Sequence, residues 1–209
     1  MATMALSRDN TALLVVDMQN SFCADDGRCG AVGLPIQNLQ AAIQPCVKLV
    51  AAARAANIPV IYTRYMYRPD YADGGVLVKH LIPELADAKA LQAGTSDIEI
   101  VDELTPKDGD FIIDKNRPSS FYATNLETVL NGLDVDSLVV CGVTTNCCVE
   151  TTVRDASQRD YKTFVVQDAV AELDEERHTV ALKSMAMLFG NLVTVEDVAG
   201  AWGVAQAAE

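Results

Sequence analysis

Basic residues are scarce in this chain: 16 lysines and arginines stand against 29 aspartates and glutamates, which gives a formal net charge of -13. Nucleic-acid binding depends on clustered lysine and arginine side chains that neutralise phosphates, and the sequence has no such cluster. We therefore expect no nucleic-acid partner. Long apolar runs are also missing, and the N-terminus lacks a basic region followed by an apolar core. We expect a cytoplasmic protein that does not bind a membrane.

Histidine and paired cysteine motifs are equally sparse. The chain has two histidines, far apart at His80 and His178, and its six cysteines include no Cys-x-x-Cys pair. Zinc clusters and disulfide frameworks both need such spacing. We therefore expect no metal, no cofactor and no disulfide scaffold, so each cysteine is either a packing residue or a reactive one.

The order of apolar and helical segments indicates the fold. Half of the 209 residues are hydrophobic, and this length suits a single domain over residues 1–209. Apolar runs that alternate with helices predict a parallel sheet covered on both faces, here an α/β fold with a Rossmann-like three-layer αβα sandwich around six strands. The predicted strands are 11–16, 58–63, 110–113, 138–141, 163–166 and 192–195, and the predicted helices are 38–56, 124–131, 147–158 and 175–188.

The stretch 64–110, between the second and third strands, is too long for an ordinary connection. It starts with several tyrosines and two arginines. Long insertions at the ligand edge of a sheet are commonly lids or contacts between subunits. The sequence leaves both roles open for this insertion.

Reactive residues end three of the predicted strands. Asp17 follows the first strand, Lys115 follows the third, and Cys147 and Cys148 follow the fourth at the start of a predicted helix. Ligands bind where strand ends meet helix N-termini, and a helix N-terminus favours thiolate over thiol. An acid, a cation and a thiol at one edge indicate nucleophilic catalysis. Taken one at a time, these residues have simpler interpretations. Asp17 is then a loop cap, Lys115 a solvated charge at a strand end, and the cysteines packing residues.

Three motifs occur in order along the chain: Val15-Val16-Asp17-Met18-Gln19-Asn20, then Asp114-Lys115-Asn116-Arg117 with Ser120-Phe121, then Gly142-Val143-Thr144-Thr145-Asn146-Cys147-Cys148-Val149-Glu150. Together they resemble the isochorismatase-like cysteine hydrolases. This family of amidohydrolases includes nicotinamidases, N-carbamoylsarcosine amidases, ureidoacrylate amidohydrolases and biuret hydrolases. The resemblance covers nearly the whole chain, and it selects Cys148 over Cys147 as the nucleophile.

The resemblance also implies roles for the other residues. Asp17 matches the family's acid and Lys115 its lysine, while the Val143-Thr144 peptide is expected to be cis. The backbone N–H groups of Thr144 and Cys148 are expected to form the oxyanion hole. In the implied reaction Asp17 accepts the thiol proton, the thiolate attacks a carbonyl carbon, and the positive charge of Lys115 favours both ionised groups.

Departures from the family's subgroups narrow the expected substrate. Metal-containing nicotinamidases resemble one another in an aspartate and histidine cluster that is missing from residues 63–67, and isochorismatases lack the nucleophilic cysteine. The motifs look most like those of ureide-cleaving members, which act on biuret, triuret or ureidoacrylate. The alternative is a nicotinamide-like amide or an N-carbamoyl amino acid. The small ureide or amide substrate is expected to contact Phe22, Arg64 and Arg117. For Arg117 the sequence leaves open a structural role, in which it ties its loop to a neighbouring carboxylate, and for Arg68 the structural role is expected.

Two further expectations concern assembly and rival functions. Relatives in the family are usually dimers or tetramers, so the resemblance implies a homo-oligomer. The rival hypotheses are a binding protein without activity and a peroxide-responsive pair of Cys147 and Cys148. The second is disfavoured because adjacent cysteines in a helix bridge only with strain.

Overall fold

The computed structural model describes residues 4–204, which form one parallel sheet of six strands with helices around it. The strands are β1 (Thr11–Val16), β2 (Val60–Tyr65), β3 (Phe111–Lys115), β4 (Ser137–Val143), β5 (Lys162–Ala171) and β6 (Asn191–Val193). Their order in the sheet is β3-β2-β1-β4-β5-β6, and every neighbouring pair is parallel. The predicted α/β fold with a six-stranded parallel sheet is confirmed.

The helices vary from single turns to four turns. They are α1 (Asn20–Cys23), α2 (Arg28–Ala31), α3 (Ile43–Ala55), α4 (Glu84–Asp87), α5 (Leu126–Gly132), α6 (Glu150–Ser157), α7 (Glu175–Leu188) and α8 (Val195–Ala201). Short 3-10 helices cover Ile36–Ala42, Ser96–Ile98 and Asp102–Leu104, and π-helical turns cover Leu77–Leu81 and Thr145–Val149. None of the helices within 4–204 has the length and apolar character needed to cross a membrane.

The centre of the sheet brings two loop ends together. Every residue of β1 and β4 is buried, because both strands carry apolar side chains on both faces. The two strands stay in register up to Val16 opposite Gly142. Gly142 has a φ of 108°, and a Cβ there would overlap the backbone carbonyl oxygen of Val16. Glycine therefore allows the close approach that places the end of β4 beside Asp17.

Four strands extend further than the sequence predicts, and one of them is β4, which ends at Val143 rather than at residue 141. β2 ends at Tyr65 rather than at residue 63, so the insertion begins at residue 66. β3 ends at Lys115 rather than at residue 113, since its polar last residues meet partners on neighbouring strands. β5 runs to Ala171, although Gln167 and Asp168 interrupt its apolar pattern. These extensions all lie at the carboxyl edge of the sheet, where the predicted reactive residues gather.

The insertion is bound to this edge through buried polar side chains. Gln19, which is 0% exposed, accepts a hydrogen bond from the N–H of Tyr65 and donates to the carbonyls of Tyr65 and Ile98. The buried carboxylate of Asp97 accepts hydrogen bonds from the N–H groups of Arg28 and Leu91. Because buried polar groups need partners, these contacts fix the insertion against the sheet.

Candidate active site

Asp17 lies directly after β1 with a left-handed φ of 51° and is 1% exposed. Its Oδ1 accepts a hydrogen bond from Thr63 Oγ1 at 2.5 Å, and its N–H donates to the same hydroxyl oxygen at 3.1 Å. Thr63 is a buried residue of β2, the strand next to β1. Oδ2 accepts no hydrogen bond of ordinary geometry, and the group in contact with it is the ammonium of Lys115.

Lys115 connects the acid to the thiol. It is the last residue of β3, and its side chain is 0% exposed. Nζ lies 2.7 Å from Asp17 Oδ2 and donates to Cys148 Sγ at 3.3 Å and to the Arg117 carbonyl at 3.2 Å. Burial lowers the pKa of Lys115, but the charges and hydrogen bonds of Asp17 and Cys148 together outweigh it and raise the pKa. Lys115 is therefore an ammonium at neutral pH.

An aromatic ring supports this ammonium from one side. Lys115 Nζ lies 4.2 Å from the ring centroid of Tyr65, a distance typical of a cation–π contact. The Tyr65 hydroxyl donates to the carbonyl of Asn116 at 3.3 Å and accepts a hydrogen bond from the Tyr67 hydroxyl at 3.0 Å. Burial raises the pKa of both tyrosines, to about 12 for Tyr67, so both phenols are neutral.

Cys148 lies in the π-helical turn Thr145–Val149, which we call the nucleophile turn. Helix α6 begins only at Glu150, so the predicted helix 147–158 starts as a separate turn, and Cys148 precedes α6 rather than opening it. Cys148 is 5% exposed, whereas Cys147 is half-buried. A hydrogen bond with Cys147 and then burial raise the pKa of Cys148, while Lys115 opposes the rise. The resting side chain is therefore a thiol.

The two cysteines differ in what they contact. The hydrogen bond with Cys148 lowers the pKa of Cys147, and because the two thiols interact, the first proton to leave belongs to the pair. The ammonium of Lys115 donates to the sulfur of Cys148. The structure thus brings together Asp17, Lys115 and Cys148, the three residues that the sequence predicts as catalytic.

The chain enters the nucleophile turn through a cis peptide between Val143 and Thr144, which confirms that prediction. The carbonyl of Thr144 accepts hydrogen bonds from the N–H groups of Cys147 and Val149 and closes the turn. The oxyanion role of the Thr144 and Cys148 N–H groups stays a prediction.

Two residues that the sequence analysis did not single out hold the nucleophile turn from outside. Glu172 Oε2 accepts a hydrogen bond from the Asn146 N–H at 2.7 Å, and His178 Nδ1 lies 2.9 Å from Thr145 Oγ1. Glu172 was missed because the polar interruption in β5 hid the end of that strand. Tyr65 was missed for a related reason, since β2 was predicted to end at residue 63. Thr63 lies inside the predicted strand and was missed because its contact with Asp17 depends on the pairing of β1 with β2. A polar or aromatic residue at or next to the carboxyl end of a strand is the signal that finds Tyr65 and Glu172.

The predicted substrate-binding residues have different surroundings. Arg64 alternates with Thr63 and Tyr65 along β2, and it forms ion pairs with Asp114 at 2.8 Å and with Glu99 at 3.2 Å. Its guanidinium is therefore committed to carboxylates of the protein. Contact between Arg64 and a substrate stays a prediction, and the ion pairs do not support it.

Phe22 and Arg117 also stay predictions. Phe22 lies on α1, half-buried against the core. Arg117 Nη1 donates to the carbonyls of Asp73 at 2.9 Å and of Asn116 at 2.5 Å, and no carboxylate within 4–204 lies at ion-pair distance from its guanidinium. Arg68 forms an exposed ion pair with Asp70. Arg117 therefore carries a positive charge that no carboxylate in the described part of the chain neutralises by direct contact.

The geometry supports acyl transfer to a thiol. A buried acid, an ammonium and a thiol are in contact, which is the set of groups that nucleophilic catalysis by cysteine requires. In the described part of the chain, no group of three or more His, Cys, Asp or Glu side chains is placed to hold a metal ion.

The chain is similar to known proteins over most of its length. Residues 11–197 match the family model described as the isochorismatase domain. Ureidoacrylate amidohydrolase RutB of Agrobacterium fabrum is 33% identical over 93% of this chain and 91% of its own. A solved cysteine hydrolase from Pseudomonas syringae pv. phaseolicola has a TM-score of 0.89 at 34% identity and is covered over 97% of both chains. N-carbamoylsarcosine amidase from Thermoplasma acidophilum has a TM-score of 0.72 at 28% identity, over 89% of this chain and 96% of its own.

Proposed function

Because the chain belongs to the isochorismatase family and is an amidohydrolase acting on C–N bonds, we propose that it cleaves a small ureide or carbamoyl amide through a covalent thioester on Cys148. The observation that carries this proposal is the contact of the Lys115 ammonium with both Asp17 and Cys148. It places a proton acceptor and a thiol on the same buried cation, as cysteine-dependent hydrolysis requires.

The proposed first half-reaction transfers one proton twice. Asp17 accepts the thiol proton of Cys148, and the thiolate attacks the substrate carbonyl carbon. The N–H groups of Thr144 and Cys148 hold the resulting oxyanion, each donor contributing about 10²–10³ in rate. As the C–N bond breaks, Asp17 returns the proton to the departing nitrogen, which leaves as ammonia or an amine. Lys115 stays charged throughout and stabilises each anion in turn.

The second half-reaction uses water in place of the thiol. Asp17 removes a proton from a water molecule, and the hydroxide attacks the thioester carbonyl in the same oxyanion hole. The C–S bond breaks, and the proton on Asp17 returns to the Cys148 thiolate. The raised pKa of Cys148 supports the role of Asp17 as a base in the first half-reaction, because a resting thiol needs a base before it can attack.

Relatives and the charge of Arg117 support a ureide substrate. The RutB relative acts on ureidoacrylate by its name, and a solved relative of the same fold is named for N-carbamoylsarcosine. Both named substrates combine a carbamoyl nitrogen with a carboxylate. Arg117 follows Lys115 by two residues, and no carboxylate among residues 4–204 forms an ion pair with it, so we assign it to a substrate carboxylate.

The insertion 66–110 is proposed to close over the bound substrate. Arg117 and Asn116, which follow Lys115 directly, donate hydrogen bonds to Asp73 of the insertion. A Cβ at Gly75, whose φ is 58°, would press against the Arg117 guanidinium. These contacts connect the insertion to the segment that carries Lys115. We also propose that the protein forms a homo-oligomer, and its molar mass in solution, measured by light scattering, tests this.

Ammonia release tests the substrate class. The substrates to compare are biuret, triuret, ureidoacrylate, an N-carbamoyl amino acid and nicotinamide. We expect hydrolysis of a ureide to exceed that of nicotinamide in kcat/KM, and preference for nicotinamide or hydrolysis of none would contradict the proposal.

Arg117→Met tests whether Arg117 binds the carboxylate of the substrate. Loss of a charge-assisted hydrogen bond of about 1.5–3 kcal/mol raises the KM of a carboxylate-bearing ureide roughly 10- to 150-fold. The KM of biuret, which has no carboxylate, serves as the internal reference. Arg68→Met, at an exposed ion pair with Asp70, is the matched control and should change neither KM.

A further inference from the structure

The nucleophile turn contacts a buried carboxylate that takes no part in the proposed proton transfers. Glu172 directly follows β5 and is 6% exposed. Its Oε2 accepts a hydrogen bond from the backbone N–H of Asn146 at 2.7 Å, and its Oε1 accepts one from the N–H of Leu173 at 2.9 Å. Asn146 precedes Cys148 by two residues, so Glu172 holds the peptide that leads into the nucleophile.

Within the described residues, the carboxylate of Glu172 has no cation paired with it. No lysine, arginine or histidine within residues 4–204 forms an ion pair with this carboxylate. Burying a charge costs free energy that two backbone donors offset only in part. A neutral side chain would avoid this cost, so a role in stability alone does not explain a glutamate at this position.

Glu172 also acts on the Cys147 thiol by its charge. The hydrogen bond with Cys148 is the main cause that lowers the pKa of Cys147, while burial and the charges of Asp17 and Glu172 oppose the lowering. The titratable and charged groups that interact with one or both thiols are Asp17 after β1, Tyr65 on β2, Tyr67 after β2, Lys115 on β3 and Glu172 after β5. Of the carboxylates, Asp17 is already assigned to proton transfer.

We propose that Glu172 is a positioning residue that fixes the Asn146 peptide and thereby aims Cys148 at the substrate carbonyl. This inference rests on the proposed function of Cys148 as the nucleophile. The hydrogen bond to Asn146 sets the position of the turn, and the negative charge of Glu172 opposes ionisation of the neighbouring Cys147.

Two substitutions separate the hydrogen bond from the charge. Glu172→Ala removes both, and we expect kcat to fall about 10²-fold with little change in KM, as for a misplaced reacting group. Glu172→Gln keeps an oxygen that accepts the Asn146 N–H, so kcat should stay within about fivefold of wild type after loss of charge assistance. Asp168→Ala is the matched control, because Asp168 lies on β5 and, like Glu172, accepts a backbone N–H, that of Val195 at 3.0 Å. It should leave kcat unchanged.

A second readout needs no substrate. The protein is treated with iodoacetamide at a series of pH values, and peptide mass spectrometry measures the extent of alkylation of Cys147 and of Cys148. Loss of the negative charge should move the alkylation midpoint of Cys147 to lower pH in both Glu172 variants. The inference is overturned if Glu172→Ala keeps wild-type kcat, or if the Cys147 midpoint of Glu172→Gln does not move. If Glu172→Ala fails to fold, the alkylation midpoint of Glu172→Gln still tests the inference. If wild type hydrolyses no ureide, the proposed function fails, while the alkylation midpoints still test the role of Glu172.

Discussion

The ammonium of Lys115 lies 2.7 Å from Asp17 Oδ2, and the two side chains are 0% and 1% exposed. Moving two charges out of water costs several kcal/mol per ion, and their attraction offsets this cost only in good geometry. An apolar pair of similar volume would serve stability as well. The pair is therefore best explained by chemistry, since Lys115 also donates a hydrogen bond to the sulfur of Cys148.

The first prediction concerns the stability of this pair. Lys115→Met leaves the Asp17 carboxylate buried without a cation, so the free energy of unfolding should fall by about 3–5 kcal/mol. The double variant Asp17→Asn with Lys115→Met removes both charges and should recover most of the loss while remaining inactive. Urea unfolding measures all three proteins. A double variant as unstable as Lys115→Met would contradict the account.

The pH dependence of the same stability has a definite sign. The folded pKa of Lys115 is raised above its unfolded value, so its contribution is fully present below about pH 10 and is lost only as pH rises through the folded pKa. The difference in unfolding free energy between wild type and Lys115→Met should therefore be equal at pH 7 and pH 9. A difference that shrinks between these values would show that Lys115 loses its proton there.

A second prediction concerns the acidity of Cys148. In wild type the alkylation midpoint of Cys148 should lie above the ordinary thiol pKa of about 8.5. Asp17→Asn removes a charge that raises this pKa and should move the midpoint down, whereas Lys115→Met removes a charge that lowers it and should move the midpoint up. Midpoints that move in the same direction in both variants would contradict the assigned electrostatics.

A third prediction tests the hydroxyl that orients the acid. Thr63→Val keeps the shape of the side chain but removes the hydrogen bond to Asp17 Oδ1 and the acceptor for the Asp17 N–H. A hydrogen bond to a charged group contributes about 1.5–3 kcal/mol, so kcat should fall roughly 10- to 150-fold. Thr63→Ser keeps the hydroxyl and serves as the matched control with kcat near wild type. Equal kcat values in the two variants would exclude an orienting role.

Much of the fold follows from the sequence because the central strands are apolar on both faces. β1 and β4 are buried throughout, and their ends locate Asp17 and the nucleophile turn. The carboxyl ends of the outer strands are harder to predict from the sequence. Gln167 and Asp168 interrupt the apolar pattern of β5, so the pattern does not show that the strand continues past them to the residue before Glu172.

The partners of charged side chains depend on strand order, which one sequence does not reveal. Arg64 lies opposite Asp114 only because β2 and β3 are neighbours in register, and this pairing gives Arg64 its ion-pair partner. The choice between Cys147 and Cys148 likewise requires a turn geometry that spacing alone does not define. The family resemblance made that choice, and the structure adds the contact between Lys115 and Cys148.

A fourth prediction concerns the glycine between β4 and the active site. Gly142→Ala forces a Cβ against the Val16 carbonyl at a φ of 108°, so we expect a loss of about 1–3 kcal/mol or more and a lower Tm. Gly132→Ala, at the end of α5 with open space around its Cβ position, is the matched control. It should be neutral or stabilising by up to about 1 kcal/mol. Equal losses in the two variants would contradict the close approach of β1 and β4.

The central claim is that the reaction passes through a covalent intermediate on Cys148. Acid quenching during turnover of the preferred ureide, followed by peptide mass spectrometry, detects that intermediate directly. Cys147→Ala, at the adjacent half-buried thiol, is the matched control and should retain both turnover and adduct. We predict an acyl or carbamoyl adduct on Cys148 and loss of turnover by at least about 10³-fold in Cys148→Ala. An adduct on Cys147, or turnover that persists in Cys148→Ala, would contradict the account.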